Sequence, residues 1–171
     1  DSRKARIVEL NPRSAAAESF RTIRATLALQ PQARGARIVL VTSAGPSEGK
    51  SLVSSNLAAA FALHGERTLL IDADLRRPSL NKVYGGLDGE RGLSGVLDGR
   101  LAWRDAVADT GVPRRDIMPA GRIPEAPAEL LGSGTLGQVL AEALAAYDRV
   151  VLDCPPVTGV SDPLIVLPRV D

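Results

Sequence analysis

Four consecutive apolar residues, Ile38-Val39-Leu40-Val41, lead into a turn-rich segment and then an Ala-rich stretch from Lys50 to Leu63. A continuous apolar run of this length suits a strand buried on both faces of a parallel sheet. The stretch after it reads as a helix ending at His64-Gly65. Between them, Ala44-Gly45-Pro46-Ser47-Glu48-Gly49-Lys50-Ser51 matches a phosphate-binding loop, with Ala44 in place of the first glycine. The chemistry explains these residue types. Main-chain N–H groups of such a turn, and of the helix start behind it, point at phosphate oxygens. Gly49 lets the main chain approach closely. Lys50 brings positive charge to the outer phosphates, and the Ser51 hydroxyl can ligate Mg²⁺. A chance Gly-Lys-Ser in a surface turn would lack the buried strand before it and the long helix after it.

Two further apolar runs end in carboxylates. Leu69-Leu70-Ile71 is followed by Asp72-Ala73-Asp74, and Val150-Val151-Leu152 by Asp153. Ligands of open parallel sheets bind outside the carboxyl ends of the strands. Asp72, Asp74 and Asp153 can therefore converge on the loop. Mg²⁺ takes oxygen ligands and keeps several waters, so Ser51 and one or two carboxylates would suffice. A remaining carboxylate can orient or deprotonate an attacking hydroxyl. Any one such Asp could equally be a helix cap or turn former, and spacing does not say which is the base.

The rest of the chain alternates similarly. Ser14 to Leu29 is helical, with Phe20, Ile23 and Leu27 on one stripe, and Pro31 and Gly35 close it. The residues before it show no core pattern. Pro78 to Gly99 reads as loops with short helical turns, Ala102 to Ala108 as a short helix, and Ile117-Met118 as a short strand. Ala128–Leu131 and Leu136–Ala146 read as helices. The expected fold is α/β: a mostly parallel sheet with helices on both faces.

Composition narrows the function. The 171 residues predict a single domain, 1–171. Net charge is +1, and aromatics make up 3%, which argues against a nucleic-acid partner. Charge is uneven: residues 1–37 hold eight basic against three acidic groups. Residues 1–35 thus read as a basic arm plus a helix, able to approach an anionic membrane face. The longest apolar run, Leu57 to Leu63, is too short to span a bilayer, and the N-terminus has no signal-peptide pattern. A single cysteine, Cys154, fits a cytoplasmic setting. It reads as a small buried residue, His64 as a helix cap, and Trp103 and Tyr147 as packing residues. Tyr84 falls in a loop.

The phosphate loop, the apolar-Asp72-Ala73-Asp74-Leu75-Arg76 run and the apolar-Asp153-Cys154-Pro155-Pro156 run together resemble the bacterial tyrosine kinases of capsule and exopolysaccharide export. There they are called Walker A, A′ and B. Glu18-x-x-Arg21-x-x-Arg24, Pro119-Ala120-Gly121, Pro127-Ala128-Glu129-Leu130-Leu131 and Ser161-Asp162 are similar to further segments of that family. The resemblance runs from about Glu18 to Asp171 and implies a P-loop NTPase-like fold. It implies that Ala44, Gly45, Pro46, Ser47, Glu48, Gly49, Lys50, Ser51 and Leu52 bind ATP. Ser51, Asp72 and Asp153 would hold Mg²⁺, and Lys50, Asp72 and Asp74 would be catalytic. Glu18, Arg21 and Arg24 would contact a neighbouring subunit in a ring-like homo-oligomer. The implied activity is tyrosine autophosphorylation in trans, regulating polysaccharide chain length and export. The place would be the cytoplasmic face of the inner membrane, beside a polysaccharide co-polymerase segment in cis or in trans.

Three features depart from the family pattern. Ala126 stands where an Asn is usual, and the only tyrosines are Tyr84 and Tyr147 rather than a cluster. The chain also stops at Asp171, where a further core strand is expected, so a C-terminally truncated domain is anticipated. Two alternatives follow. One is a nucleotide-gated assembly module with little kinase activity. The other is a partitioning-type ATPase, against which the lack of an early loop lysine in Ser43-Ala44-Gly45 counts.

Overall fold

The computed structural model describes residues 2–29 and 35–171. Five strands form one sheet: β1 (Ile38–Val41), β2 (Thr68–Asp72), β3 (Ala108–Val112), β4 (Arg115–Met118) and β5 (Arg149–Asp153). Their order is β1-β5-β2-β4-β3. All neighbours run parallel except β3, which pairs antiparallel with β4. Helices are α1 (Ile7–Leu10), α2 (Ala15–Leu29), α3 (Lys50–Leu63), α4 (Leu80–Tyr84), α5 (Leu93–Leu97), α6 (Pro127–Gly132), α7 (Thr135–Ala146) and α8 (Asp162–Val166).

Side chains alternate across the sheet, as the pleat requires. Leu70, Ile117 and Val151 meet Leu57, Ala58 and Phe61 of α3 on one face. Leu69, Ile71, Val150 and Leu152 meet α5, α7 and α8 on the other. Helix α3 then has a second cover, because Ala59 and Ala60 pack against Val8, Ala17 and Phe20 of α1 and α2. A helix walled in on all sides is apolar all round, and its small alanines admit neighbours on both flanks.

Two expectations are corrected. Ala102–Ala108 holds only a 3-10 turn, Trp103–Ala106; Ala108 then opens strand β3. Its Asp109 and Gly111, both poor strand formers, mask a period-two burial pattern. The N-terminal segment, read as a basic arm without a core pattern, packs onto the fold. A 3-10 turn, Lys4–Arg6, and α1 lie against α3, with Val8 fully buried. Buried Asn56 pins them: its Nδ2 donates to Lys4 O at 2.9 Å, and its Oδ1 accepts from Val8 N at 2.9 Å. Pro31, read as a helix terminator, lies outside the described residues. Among the described residues no helix is long and apolar enough to cross a membrane.

Glycines 92 and 121 bring two loops into contact. A Cβ on Gly92 would stand 2.2 Å from the Pro119 carbonyl oxygen and 2.3 Å from Gly121 N. Gly121 itself turns at φ +77°. The backbone cannot yield there without losing the Leu93 N to Pro119 O bond at 2.8 Å. Gly92→Ala is expected to destabilise the fold by about 3 kcal/mol, the upper part of the overpacking range. A urea midpoint equal to that of the wild type would contradict this.

Candidate active site

The strand register assembles the site. Asp72 lies directly opposite Asp153 across β2 and β5, and Val41 is the partner of Asp153 on the other side. The phosphate loop therefore leaves the sheet beside both carboxylates. It is shaped by Gly49, at φ +91°, and by Ser47, at φ +63°. Glycine enters this left-handed region freely; a serine there costs on the order of 1 kcal/mol. The segment after β5 fastens to the loop. Thr42 Oγ1 donates to Pro155 O at 2.6 Å, Val157 N to Ser43 O at 2.9 Å, and Thr158 N to Ala44 O at 3.3 Å.

Lys50 opens α3, and its Nζ lies 2.9 Å from Asp74 Oδ2. Both side chains are nearly buried, at 12% and 3% exposure. Burial alone pulls the Lys50 ammonium down. The Asp74 bond and the charges of Asp153, Asp74 and Asp72 outweigh that and hold its pKa above the ordinary value. Asp74 also accepts from Arg77 N at 2.9 Å.

Asp72 is fully buried and held by three amides: Asp74 N at 3.2 Å, Ser79 N at 3.1 Å and Leu80 N at 3.1 Å. Burial, then repulsion from Asp153, pushes its pKa up to about 7 against those three bonds. Asp153 is also fully buried, and neither of its oxygens has a hydrogen bond of ordinary geometry. Burial raises it to about 6, tempered by the nearby Ser51 and Ser54 hydroxyls and by Lys50. Ser51 Oγ in turn accepts from Ser79 Oγ at 2.6 Å.

A cavity of about 940 Å³ opens over these groups. Pro46, Ser47, Gly49, Lys50, Ser51, Leu52 and Asp74 line it, with Lys4 on the N-terminal side and Pro155 and Pro156 opposite. Asp72 and Asp153 are fully buried beside it and do not line it. Of the loop residues expected at nucleotide, Ala44, Gly45 and Glu48 do not line it; the Ala44 carbonyl is engaged by Thr158.

The unpartnered Asp153 oxygens, beside Asp72 and the Ser51 hydroxyl, are a set of hard oxygen donors. They fit Mg²⁺. Among the described residues no three Asp, Glu, His or Cys side chains form a self-sufficient metal cluster. A cation here would complete its shell with phosphate oxygens and water.

Other predicted residues lie elsewhere. Glu18 and Arg21 pair on the outer face of α2, Nη1 to Oε2 at 2.7 Å, and Arg24 is half-buried on the same helix. Tyr147 packs edge-on to Trp103 and donates to Asp116 Oδ2 at 2.7 Å. Tyr84 is not in a loop. It ends α4, its ring beneath Arg115 at 4.7 Å and Arg6 at 5.4 Å, with Glu9 bonded to both arginines. Cys154 is fully buried, and burial followed by the surrounding carboxylates pushes its thiol pKa up. Arg76 and Asp162, quoted from two separate motifs, meet in a fork at 2.8 and 2.9 Å, whereas reading the chain alone misses Ser79 and Thr158. Neither of the last two has a local pattern; each is defined by a partner across the fold.

The buried charge pair has a measurable cost. Asp72 and Asp153 hold protons in the folded chain at pH values where an unfolded chain has lost them. The contribution of these two groups to stability without metal is therefore fully present below about pH 4 and lost as pH rises through about 6 to 7. Asp153→Asn keeps the shape and removes one charge. It is expected to stabilise the metal-free protein by about 1–3 kcal/mol at about pH 8, and much less at about pH 5. Urea unfolding at the two pH values checks this; a midpoint for Asp153→Asn below that of the wild type at the higher pH would refute it.

A family model described as an AAA domain matches residues 36–166. The tyrosine-protein kinase YwqD of Bacillus subtilis is 39% identical over 160 residues, covering 94% of this chain and 67% of that protein. The crystal structure of the chimerical protein CapA2B2 superposes with a TM-score of 0.92 at 31% identity, over 97% of this chain and 73% of that one. The kinase domain of Escherichia coli tyrosine kinase ETK gives 0.90 at 34% identity, over 96% and 64%. The chain thus spans about two thirds of the length of these relatives. The septum site-determining protein MinD of Pyrococcus horikoshii, complexed with Mg-ADP, shares the fold less closely, at 0.67 and 26% identity over 78% of this chain and 54% of that one. The superposition is near-complete on the kinase domain and partial on MinD. The chain belongs to the AAA-domain family and, within it, to the bacterial tyrosine-protein kinases.

Proposed function

We propose that this chain is an ATP- and Mg²⁺-dependent protein-tyrosine kinase domain. The observation that carries the reading is the Lys50–Asp74 pair set at the loop mouth over two buried carboxylates. Loop amides and Lys50 hold the phosphates, Ser51, Asp72 and Asp153 hold the metal, and Asp72 and Asp74 orient the acceptor hydroxyl and take its proton. Bound Mg²⁺ would neutralise charge on the phosphate oxygens. The burial of Asp72 keeps bulk water from the carboxylate that receives the proton.

Transfer occurs in trans within a ring-like homo-oligomer. The exposed Glu18-Arg21 pair on α2, with Arg24, is offered to the neighbouring subunit. Both tyrosines of this chain are built into the fold, which supports an acceptor supplied from outside these positions. The parent protein acts at the cytoplasmic face of the inner membrane, with a polysaccharide co-polymerase segment, and regulates chain length and export of capsular or exopolysaccharide. The same fixed tyrosines favour one second reading: a nucleotide-gated assembly module in which ATP drives ring formation without transfer.

The parent protein, incubated with ATP and Mg²⁺ and probed for phosphotyrosine, separates the readings. Signal in the wild type and its loss in Lys50→Met supports the kinase. Nucleotide-dependent assembly without phosphotyrosine supports the module and sinks the kinase.

A further inference from the structure

Ser79 directly precedes α4. A serine there ordinarily turns its hydroxyl onto the amides of its own helix. Ser79 makes no such bond. The first amides of this stretch are served instead by Asp72, whose Oδ2 accepts from Ser79 N and Leu80 N, each at 3.1 Å. The Ser79 hydroxyl is released to reach α3, where it donates to Ser51 Oγ at 2.6 Å. One residue therefore grips two candidate metal ligands, Asp72 through its main chain and Ser51 through its side chain.

A serine hydroxyl carries one proton and two lone pairs. With one lone pair of Ser51 taken by Ser79, a single lone pair is left for a cation. Without Ser79 the Ser51 hydroxyl could turn among three staggered positions. Mg²⁺ demands near-ideal octahedral geometry, so a wandering ligand would weaken its hold.

We propose that Ser79 is a positioning residue for Mg²⁺, aiming the Ser51 hydroxyl while its N–H steadies Asp72. The proposal rests on the nucleotide-and-metal reading above. Ser79→Ala isolates the hydroxyl, because the main-chain bonds to Asp72 survive it.

The test is binding of a fluorescent ADP analogue, titrated with Mg²⁺, to wild type, Ser79→Ala and Ser79→Thr. In Ser79→Ala the Mg²⁺ needed for half-maximal tightening is expected to rise about 10-fold, with affinity in EDTA changed by less than about 2-fold. Ser79→Thr, which keeps the oxygen, is expected to return the requirement to within about 3-fold of wild type. An unchanged Mg²⁺ requirement in Ser79→Ala overturns the proposal. So does an equal loss with and without Mg²⁺, which would mark a merely structural residue. If the wild type itself binds the analogue without any Mg²⁺ dependence, the metal reading fails, and this assignment with it.

Discussion

Lys50→Met is expected to lower phosphotyrosine formation about 1,000-fold, because it removes a preorganised charge aimed at the transferring phosphate. The structure adds a second expectation. Lys50 is the cation paired with Asp74, and it also feels the charges of the buried Asp72 and Asp153. Without it three carboxylates share one nearly dry site. Breaking such a pair from one side costs about 3–5 kcal/mol, so Lys50→Met should also melt markedly earlier than the wild type. The double variant Lys50→Met/Asp74→Asn separates the two effects. It should recover most of the lost thermal stability and none of the lost transfer. Recovery of transfer along with stability would show that Lys50 serves the fold alone.

Asp72→Asn is expected to cost about 1,000-fold in transfer, the middle of the range for losing a general base. Its nucleotide affinity in EDTA should stay close to that of the wild type, and the tightening by Mg²⁺ should largely vanish. Asp72 is the more rigidly held of the two candidate bases in the A′ run. Three amides fix it, whereas Asp74 is committed to Lys50. Phosphotyrosine yield per unit time, measured at saturating nucleotide, compares the variants. A larger loss for Asp74→Asn than for Asp72→Asn would move the base role to Asp74.

The parts of the fold that were legible from the chain alone are those with dense local signals. Helix α3 runs from Lys50 to Leu63, as the Ala-rich stretch indicated, and β1 is the Ile38–Val41 run. Asp72 and Asp153 converge as strand ends should. What escaped was fixed by partners far away in sequence. The N-terminal segment carries little apolar pattern, and its place depends on Asn56 and Arg115. Strand β3 was hidden by Asp109 and Gly111, residues that disfavour strands and are tolerated at an exposed sheet edge. Ser79 looked like an ordinary loop serine because its partner, Ser51, is 28 positions away. The three acidic residues were legible as a set, but not their division of labour, since burial and hydrogen bonding separate Asp72 from Asp74 and spacing does not.

The double wall around α3 carries one more consequence. The helix that begins at Lys50 has sheet on one flank and α1 and α2 on the other. Its dipole, which favours anions at that end, cannot swing with the loops. Whatever orientational entropy a phosphate-binding helix must lose has already been lost during folding, in the burial of alanines remote from any ligand. An arriving phosphate meets dipoles already aligned. The chemistry at the mouth of the cavity is thus set partly by Ala59 and Ala60, two residues that never approach it.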